Sequence, residues 1–303
     1  MSKQDYKNIV ECIECDFERL DDVLAEIFMQ NENSLSAEIK RYLFSSSKRI
    51  RSALIFLFAR ALFGGVSQKH YNIAAAIELI HNATLIHDDV IDSSDERRGN
   101  ETLNKAFDAK LAVVAGDFLF TLAFMQISKT GSVEIIDIYA QALKEICTGE
   151  IEQYFNKFKV PSIEDYIEKS KNKTAMLFYV GLYSAFLNDV DEEKLEKIKD
   201  FALNFGIAFQ IKDDLVNVLN ADKNAASDDI KNGIYTAPVI FSSGEGRVES
   251  GEGKVESGAI QKTKNLIKKY VDKAVDTLDI INDNEYKKAI KRICELVKDV
   301  GHE

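Results

Sequence analysis

Residues 73–90 read IAAAIELIHNATLIHDDV, and their apolar side chains recur at the three- and four-residue steps that gather them on one face of an α-helix. The same spacing runs through Ile9, Cys12, Phe17, Leu20, Val23, Leu24 and Ile27, and through residues 53–63, 111–127, 133–158, 174–187, 195–219, 260–281 and 286–300. No stretch alternates β-branched residues as a half-buried strand does. Helix follows helix, so an all-α fold is expected. Only Pro161 and Pro238 occur among 303 residues, where average usage would place about fifteen prolines; so few breakers suit long helices. No central linker divides the chain, and a single large helical bundle over residues 1–303 is expected.

Residues 243–258, SGEGRVESGEGKVESG, write a seven-residue unit twice with glycine and charge and almost nothing apolar. Such a segment gains too little from burial to offset its ordering entropy, so an exposed loop is expected there. The formal charge of −11 argues against nucleic acid as a partner, because phosphate-backbone binders carry net-positive faces. The first twenty residues mix acids and bases and lack the apolar core of a signal peptide, which points to the cytoplasm. The apolar residues 53–63 are interrupted by Arg60 and fall short of the roughly 20 residues of a membrane span; no transmembrane segment is expected. Cys12 and Cys15 have no second pair or nearby histidine to complete a zinc site, and read as core thiols.

The chemistry concentrates in residues 78–102, ELIHNATLIHDDVIDSSDERRGNET. On a helix Asp88 and Asp92 share a face, while Asp89 is turned about 100° from Asp88. Two like charges four residues apart cost a few tenths of a kcal/mol unless a cation joins them. Oxygen-only ligation with waters retained suits Mg²⁺, which commonly bridges a few carboxylates to substrate phosphates. A second acidic pair, Asp213 and Asp214 with Asn217 beyond, closes the apolar stretch GIAFQIKDDLVN. Each pair alone also reads as a solvated helix end. On facing helices the two clusters would hold metal and a diphosphate, as bundle-core sites do.

Basic residues supply the complement. SKRIR at residues 47–51 opens a helix, and Arg97-Arg98-Gly99 follows the first acidic cluster. Arginine forks and lysine point charges clustered in an acidic protein suggest an anionic small molecule. Together these residues describe a pocket for two diphosphates, one held through metal and one directly by cations. His81 lies two helical turns before Asp88 on nearly the same face; on spacing alone it reads first as a polar core histidine.

With these residues in hand, the chain resembles the trans-isoprenyl diphosphate synthases, and within them the long-chain branch. The resemblance spans nearly the whole chain and rests on HDDVID with its trailing RRG, FQIKDD, SKRIR, AGDFLF at residues 115–120, GE at 149–150 and KT at 173–174. It implies an all-α isoprenoid-synthase bundle with a central pocket. Asp88, Asp92 and Asp213 would ligate three Mg²⁺ on the allylic diphosphate, with Asp89 and Asp214 in support. Arg97, Lys173 and Lys223 would touch the same diphosphate. Lys48, Arg51, His81 and Arg98 would hold isopentenyl diphosphate, which reverses the spacing-based reading of His81. Thr174 and Gln210 would lie near the developing cation. A homodimer is implied as well.

Product length in such a synthase is set by what blocks the pocket below the first acidic motif. Thr84 and Ala83 stand four and five residues before Asp88 and are small, so by the resemblance a product longer than farnesyl is expected. Its length depends on deeper residues such as Phe120 or Phe124, and about eight isoprene units is the expectation within a range of about six to ten. A short-chain synthase, a non-catalytic subunit of a heteromeric synthase and a terpene cyclase are the competing readings. Intact acidic motifs argue against the second, and the second cationic cluster argues against the third. The sequence departs from the family pattern at Asn217 (usually aspartate), Ser46 and Ser47 (glycines), Ser52 (proline) and Ile234 (lysine).

Overall fold

The computed structural model describes residues 3–44, 48–156, 158–220, 233, 235–242 and 255–300. Ser46, Ser47, Lys223, Ile234 and most of the segment 243–258 lie outside them. The described residues are almost wholly helical, as expected, and the chain separates into two compact units: Val10–Ile138, and Met1–Ile9 with Tyr139–Glu303.

Helix α1, Lys3–Val10, leads into the first unit. There a 3₁₀ turn at Glu11–Ile13 is followed by α2 (Glu14–Gln30), α3 (Ser36–Phe44), α4 (Ile50–Phe63), α5 (Gln68–Ile91), the strands β1 (Glu96–Arg97) and β2 (Asn100–Glu101), α6 (Leu103–Ala106) and α7 (Ala109–Ser128). Helix α5 begins at a capping box, in which Ser67 N–H donates to His70 Nδ1 at 2.9 Å. The apolar periodicity of residues 73–90 then becomes its buried face, from Ile73 through Ile80 to Ala83 and Ile86. That face packs on α4 and α7. Ile50 and every residue from Ser52 to Ala59 of α4 are buried, so this stretch is a core helix.

A buried charge cluster ties α2, α4 and α5. Asp16 accepts from Arg60 Nε and Nη2 at 3.0 and 2.9 Å and from Tyr71 Oη at 2.8 Å. Burial, then Asp16, pushes the Tyr71 phenol up, so it remains a donor. Asp16 is 1% exposed, whereas Arg60 keeps a quarter of its surface in water. Asp16→Ala is expected to lower stability by about 2 kcal/mol, discounted for that exposure. The check is a lower urea midpoint at an unchanged denaturant slope.

Helix α7 is long and apolar enough to cross a membrane by length and composition alone. One face, Ala112, Ala115, Gly116, Leu119, Leu122, Ala123 and Ile127, is nonetheless buried within the unit, while Val113, Val114 and Met125 are exposed.

The second unit receives α8 (Val133–Phe155) from Tyr139 onward, then α9 (Ile163–Ser170), a π-helical turn at Lys171–Ala175, α10 (Met176–Phe186), α11 (Glu192–Asn220), α12 (Ala237–Ser242), α13 (Ser257–Asp276), a 3₁₀ turn at Thr277–Ile280 and α14 (Glu285–Lys298). Phe178 of α10 meets Phe205 and Phe209 of α11 at ring separations of 5.3 and 5.6 Å, within the range of favourable aromatic pairs. Lys212, inside FQIKDD, is buried and donates to the carbonyls of Leu296 and Asp299 at 2.5 and 2.8 Å. It satisfies carbonyls at the end of α14 and complements the helix dipole there.

Residues 96–101 form a two-residue antiparallel ladder, Glu96 opposite Glu101 and Arg97 opposite Asn100, too short to carry an alternating pattern. Two expectations are corrected. Cys15 and Cys147 are exposed and Cys12 is half-buried, so only Cys294 is a core thiol; Cys15 sits at the surface, where Arg60 Nη2 approaches its Sγ at 3.4 Å. Helix α13 begins at Ser257, so the last two residues of the 243–258 segment are helical.

Candidate functional site

In the first unit the acidic motif occupies the last turn of α5. Asp88 is half-buried and Asp92 exposed, one turn apart, and the Asp92 N–H closes the helix on the Asp88 carbonyl at 2.8 Å. Asp89 points elsewhere: it is 1% exposed and accepts from Arg97 Nε at 2.6 Å. That charge-assisted bond turns Asp89 inward, away from Asp88 and Asp92. His87 Nε2 donates to the Val113 carbonyl at 3.1 Å, tying the same turn to α7.

The RRG sequence makes the turn of the β1–β2 hairpin. Arg98 and Gly99 both have positive φ, 53° and 77°, the pattern of the two-residue turn that matches strand twist. Thr102 Oγ1 and Asn104 Nδ2 donate to the Ser94 carbonyl at 2.7 and 3.0 Å and hold the hairpin to the end of α5. Arg97 and Arg98 are thereby brought beside His81. Burial lowers the His81 imidazole well below its ordinary value, and the positive charges of Arg51, Arg98 and Arg97 push it the same way.

At the start of α4, Arg49 adopts a left-handed conformation, φ 44° and ψ 43°, and pairs with Asp21 of α2 at 2.5 Å. This strained residue separates Lys48 from Arg51. Ser52, where the family pattern has proline, donates to the buried Glu78 at 2.6 Å; the substitution supplies a partner that a proline cannot.

Because His81 is held neutral in the fold, the unfolded chain binds a proton that the fold does not between about pH 6.5 and the lower folded value. Acidification through that window therefore favours unfolding. The ligand-free protein is expected to lose stability from pH 7 to pH 5 faster than its His81→Asn variant, read as urea midpoints.

In the second unit Asp213 and Asn217 are exposed and one turn apart on α11, whereas Asp214 is half-buried. Asp214 accepts from Tyr166 Oη at 2.5 Å and from Gln210 Nε2 at 2.8 Å, and Gln210 Oε1 accepts from Thr174 Oγ1 at 2.5 Å. Lys173 pairs with Glu150 at 2.5 Å. Both Lys173 and Thr174 lie in the π-helical turn, a feature frequent at functional sites. Gly206 lets α11 approach that turn: a Cβ there would meet the Ala175 Cα at 2.5 Å.

The donors suit an oxygen-ligated divalent cation. Asp88 with Asp92, and Asp213 with Asn217, each offer a pair of oxygen ligands one turn apart. An ion held there would be completed by waters and phosphate oxygens rather than by an all-protein cage, as Mg²⁺ commonly is. Of the expected site residues, the first unit brings Arg51, His81, Arg97 and Arg98 together, and the second joins Thr174, Gln210 and Asp214. Tyr166 was missed; its place in the network comes from the fold, not from motif spacing.

Comparison with known proteins follows the same lines. The family described as Polyprenyl synthetase matches residues 33–277. A prenyl transferase of Cyanophora paradoxa is 30% identical over 313 residues, covering 96% of this chain and 97% of its own length. Octaprenyl diphosphate synthase of Escherichia coli (strain K12) is 33% identical over 271 residues, 80% of this chain and 83% of its own. The crystal structure of polyprenyl synthase from Caulobacter crescentus CB15, complexed with calcium and isoprenyl diphosphate, is 29% identical with a TM-score of 0.85 and 97% of both chains covered.

Proposed function

The chain belongs to the polyprenyl synthetase family, and from that premise we propose that it adds isopentenyl diphosphate units head to tail onto an allylic diphosphate, farnesyl or geranylgeranyl. It is a trans-prenyltransferase that makes a long polyprenyl chain, and we place the product near eight units. One observation carries the reading: Arg51, Arg98 and Arg97 lie near enough to His81 to add to burial in lowering its imidazole, on the unit that presents Asp88 and Asp92. The Arg51 and Arg98 forks beside a hydrogen-bonding ring match a diphosphate held directly, next to carboxylates that, with Arg97 on Asp89, match one held through metal.

Asp88 and Asp92 on the first unit, and Asp213 on the second, are the proposed protein ligands of Mg²⁺, of which three ions are proposed, and calcium accompanies the diphosphate in the Caulobacter crescentus relative. When bound, the metal supplies neutralisation of the leaving-group charge. The allylic C–O bond breaks and its electron pair leaves with diphosphate. The isopentenyl double bond supplies the pair for the new C–C bond, and a proton passes to the departed diphosphate. Arg51, His81 and Arg98, with Lys48, orient the isopentenyl diphosphate; Arg97 and Lys173 face the allylic one. Orientation and charge stabilisation account for the rate without a covalent intermediate. A homodimer is proposed too, supported by the exposed Val113, Val114 and Met125 of α7 and checked by light scattering.

The test incubates purified protein with farnesyl diphosphate, labelled isopentenyl diphosphate and Mg²⁺, with an EDTA control, and sizes the extracted products. A metal-dependent ladder ending near eight units is expected. Stopping at three or four units would move the reading to a short-chain synthase, and no incorporation would favour a non-catalytic subunit.

A further inference from the structure

The side chains Tyr166, Asp214, Gln210 and Thr174 form one chain of hydrogen bonds whose direction follows from their chemistry. A carboxylate only accepts, so the Gln210 amide must turn its NH₂ toward Asp214, at 2.8 Å. Its Oε1 then faces Thr174, and a hydroxyl beside an acceptor donates, here at 2.5 Å. Without the carboxylate the amide could reverse and the Thr174 proton would point the other way.

Tyr166 Oη occupies the second oxygen of Asp214 at 2.5 Å. Burial and the Asp214 charge hold the phenol well above its ordinary range, so it stays a donor. The close approach of α11 at Gly206 and the π-helical turn fix the distance between the two halves of the chain.

We infer that Tyr166 is a positioning residue for the condensation: through Asp214 and Gln210 it fixes the Thr174 hydroxyl with its oxygen lone pairs, not its proton, presented to the developing allylic cation. A fixed lone pair stabilises that charge without reorganisation at the moment of reaction. The inference rests on the prenyl-transfer reading proposed above.

Tyr166→Phe removes only the hydroxyl. Its kcat at saturating substrates is expected to fall about tenfold, with both KM values within about twofold of wild type. Because the residues act in series, Y166F/Q210L should be no slower than Q210L by more than about twofold. Wild-type kcat in Y166F, a loss residing in KM, or losses that multiply in the double variant would each overturn the inference. A wild-type protein that does not condense at all instead sinks the prenyl-transfer reading. The bond chain is then judged by the ¹⁵N-labelled Gln210 side-chain amide, whose hydrogen exchange should be about tenfold faster in Y166F; unchanged exchange overturns the positioning role.

Discussion

Asp88→Ala is expected to lower kcat by about a hundred- to a thousandfold, the cost of losing one preorganised electrostatic partner of a leaving group, while leaving the stability of the ligand-free protein within about 0.5 kcal/mol. The two effects separate because of what the carboxylate does in each state. Without substrate, half-buried Asp88 stands one turn from the like charge of Asp92, and relief of that repulsion, a few tenths of a kcal/mol, offsets part of what its own contacts contribute. With substrate, the same oxygen is a proposed ligand of Mg²⁺. Its neighbour Asp89 supplies the contrast. Being 1% exposed and paired with Arg97 at 2.6 Å, it is expected to cost about 3 kcal/mol of stability on replacement by alanine, along with activity through the displaced arginine. Parallel kinetics and urea melts of the two variants make the check. Equal stability losses, or an Asp88→Ala enzyme at wild-type rate, would remove Asp88 from the metal set.

That contrast was partly legible in the sequence. The helical period alone separates Asp88 from Asp89 by 100°, and the apolar run before them says which direction is inward. What the period cannot say is what waits inside. Arg97 reaches Asp89 from a two-residue ladder that Thr102 and Asn104 tie to the end of α5, and so short a ladder leaves no alternation to read. The same limit hid the Asp16, Arg60 and Tyr71 cluster, whose members lie 44 and 55 residues apart along the chain, and it hid Tyr166, 48 residues before Asp214. Lys212 shows the converse. Its place between Gln210 and Asp213 suggests a site residue, yet its ammonium turns away to end α14. Periodicity assigns faces; partners from distant segments assign roles.

The largest change of product is expected from Thr84→Phe, which should shift the ladder from a long chain to three or four isoprene units while the first condensation proceeds at near wild-type rate. Thr84 lies about 6 Å down α5 from Asp88, one helical turn at 1.5 Å per residue, along the path a chain tethered at the acidic motif would take. It is half-buried, and its hydroxyl donates to the His81 carbonyl of its own helix at 2.8 Å, so the substitution leaves no buried group without its backbone partner. Ala83, which the sequence treats as its equal, is not. It is fully buried, and a phenylalanine there overpacks the core at a cost of about 1–3 kcal/mol. Ala83→Phe is therefore expected to lower the melting temperature and the overall rate together, whereas Thr84→Phe changes product length with little loss of stability. Sizing the products of both variants beside their melts decides the matter: an unaltered ladder from folded Thr84→Phe would mean that the growing chain does not pass Thr84, and that its length is set from another wall of the pocket.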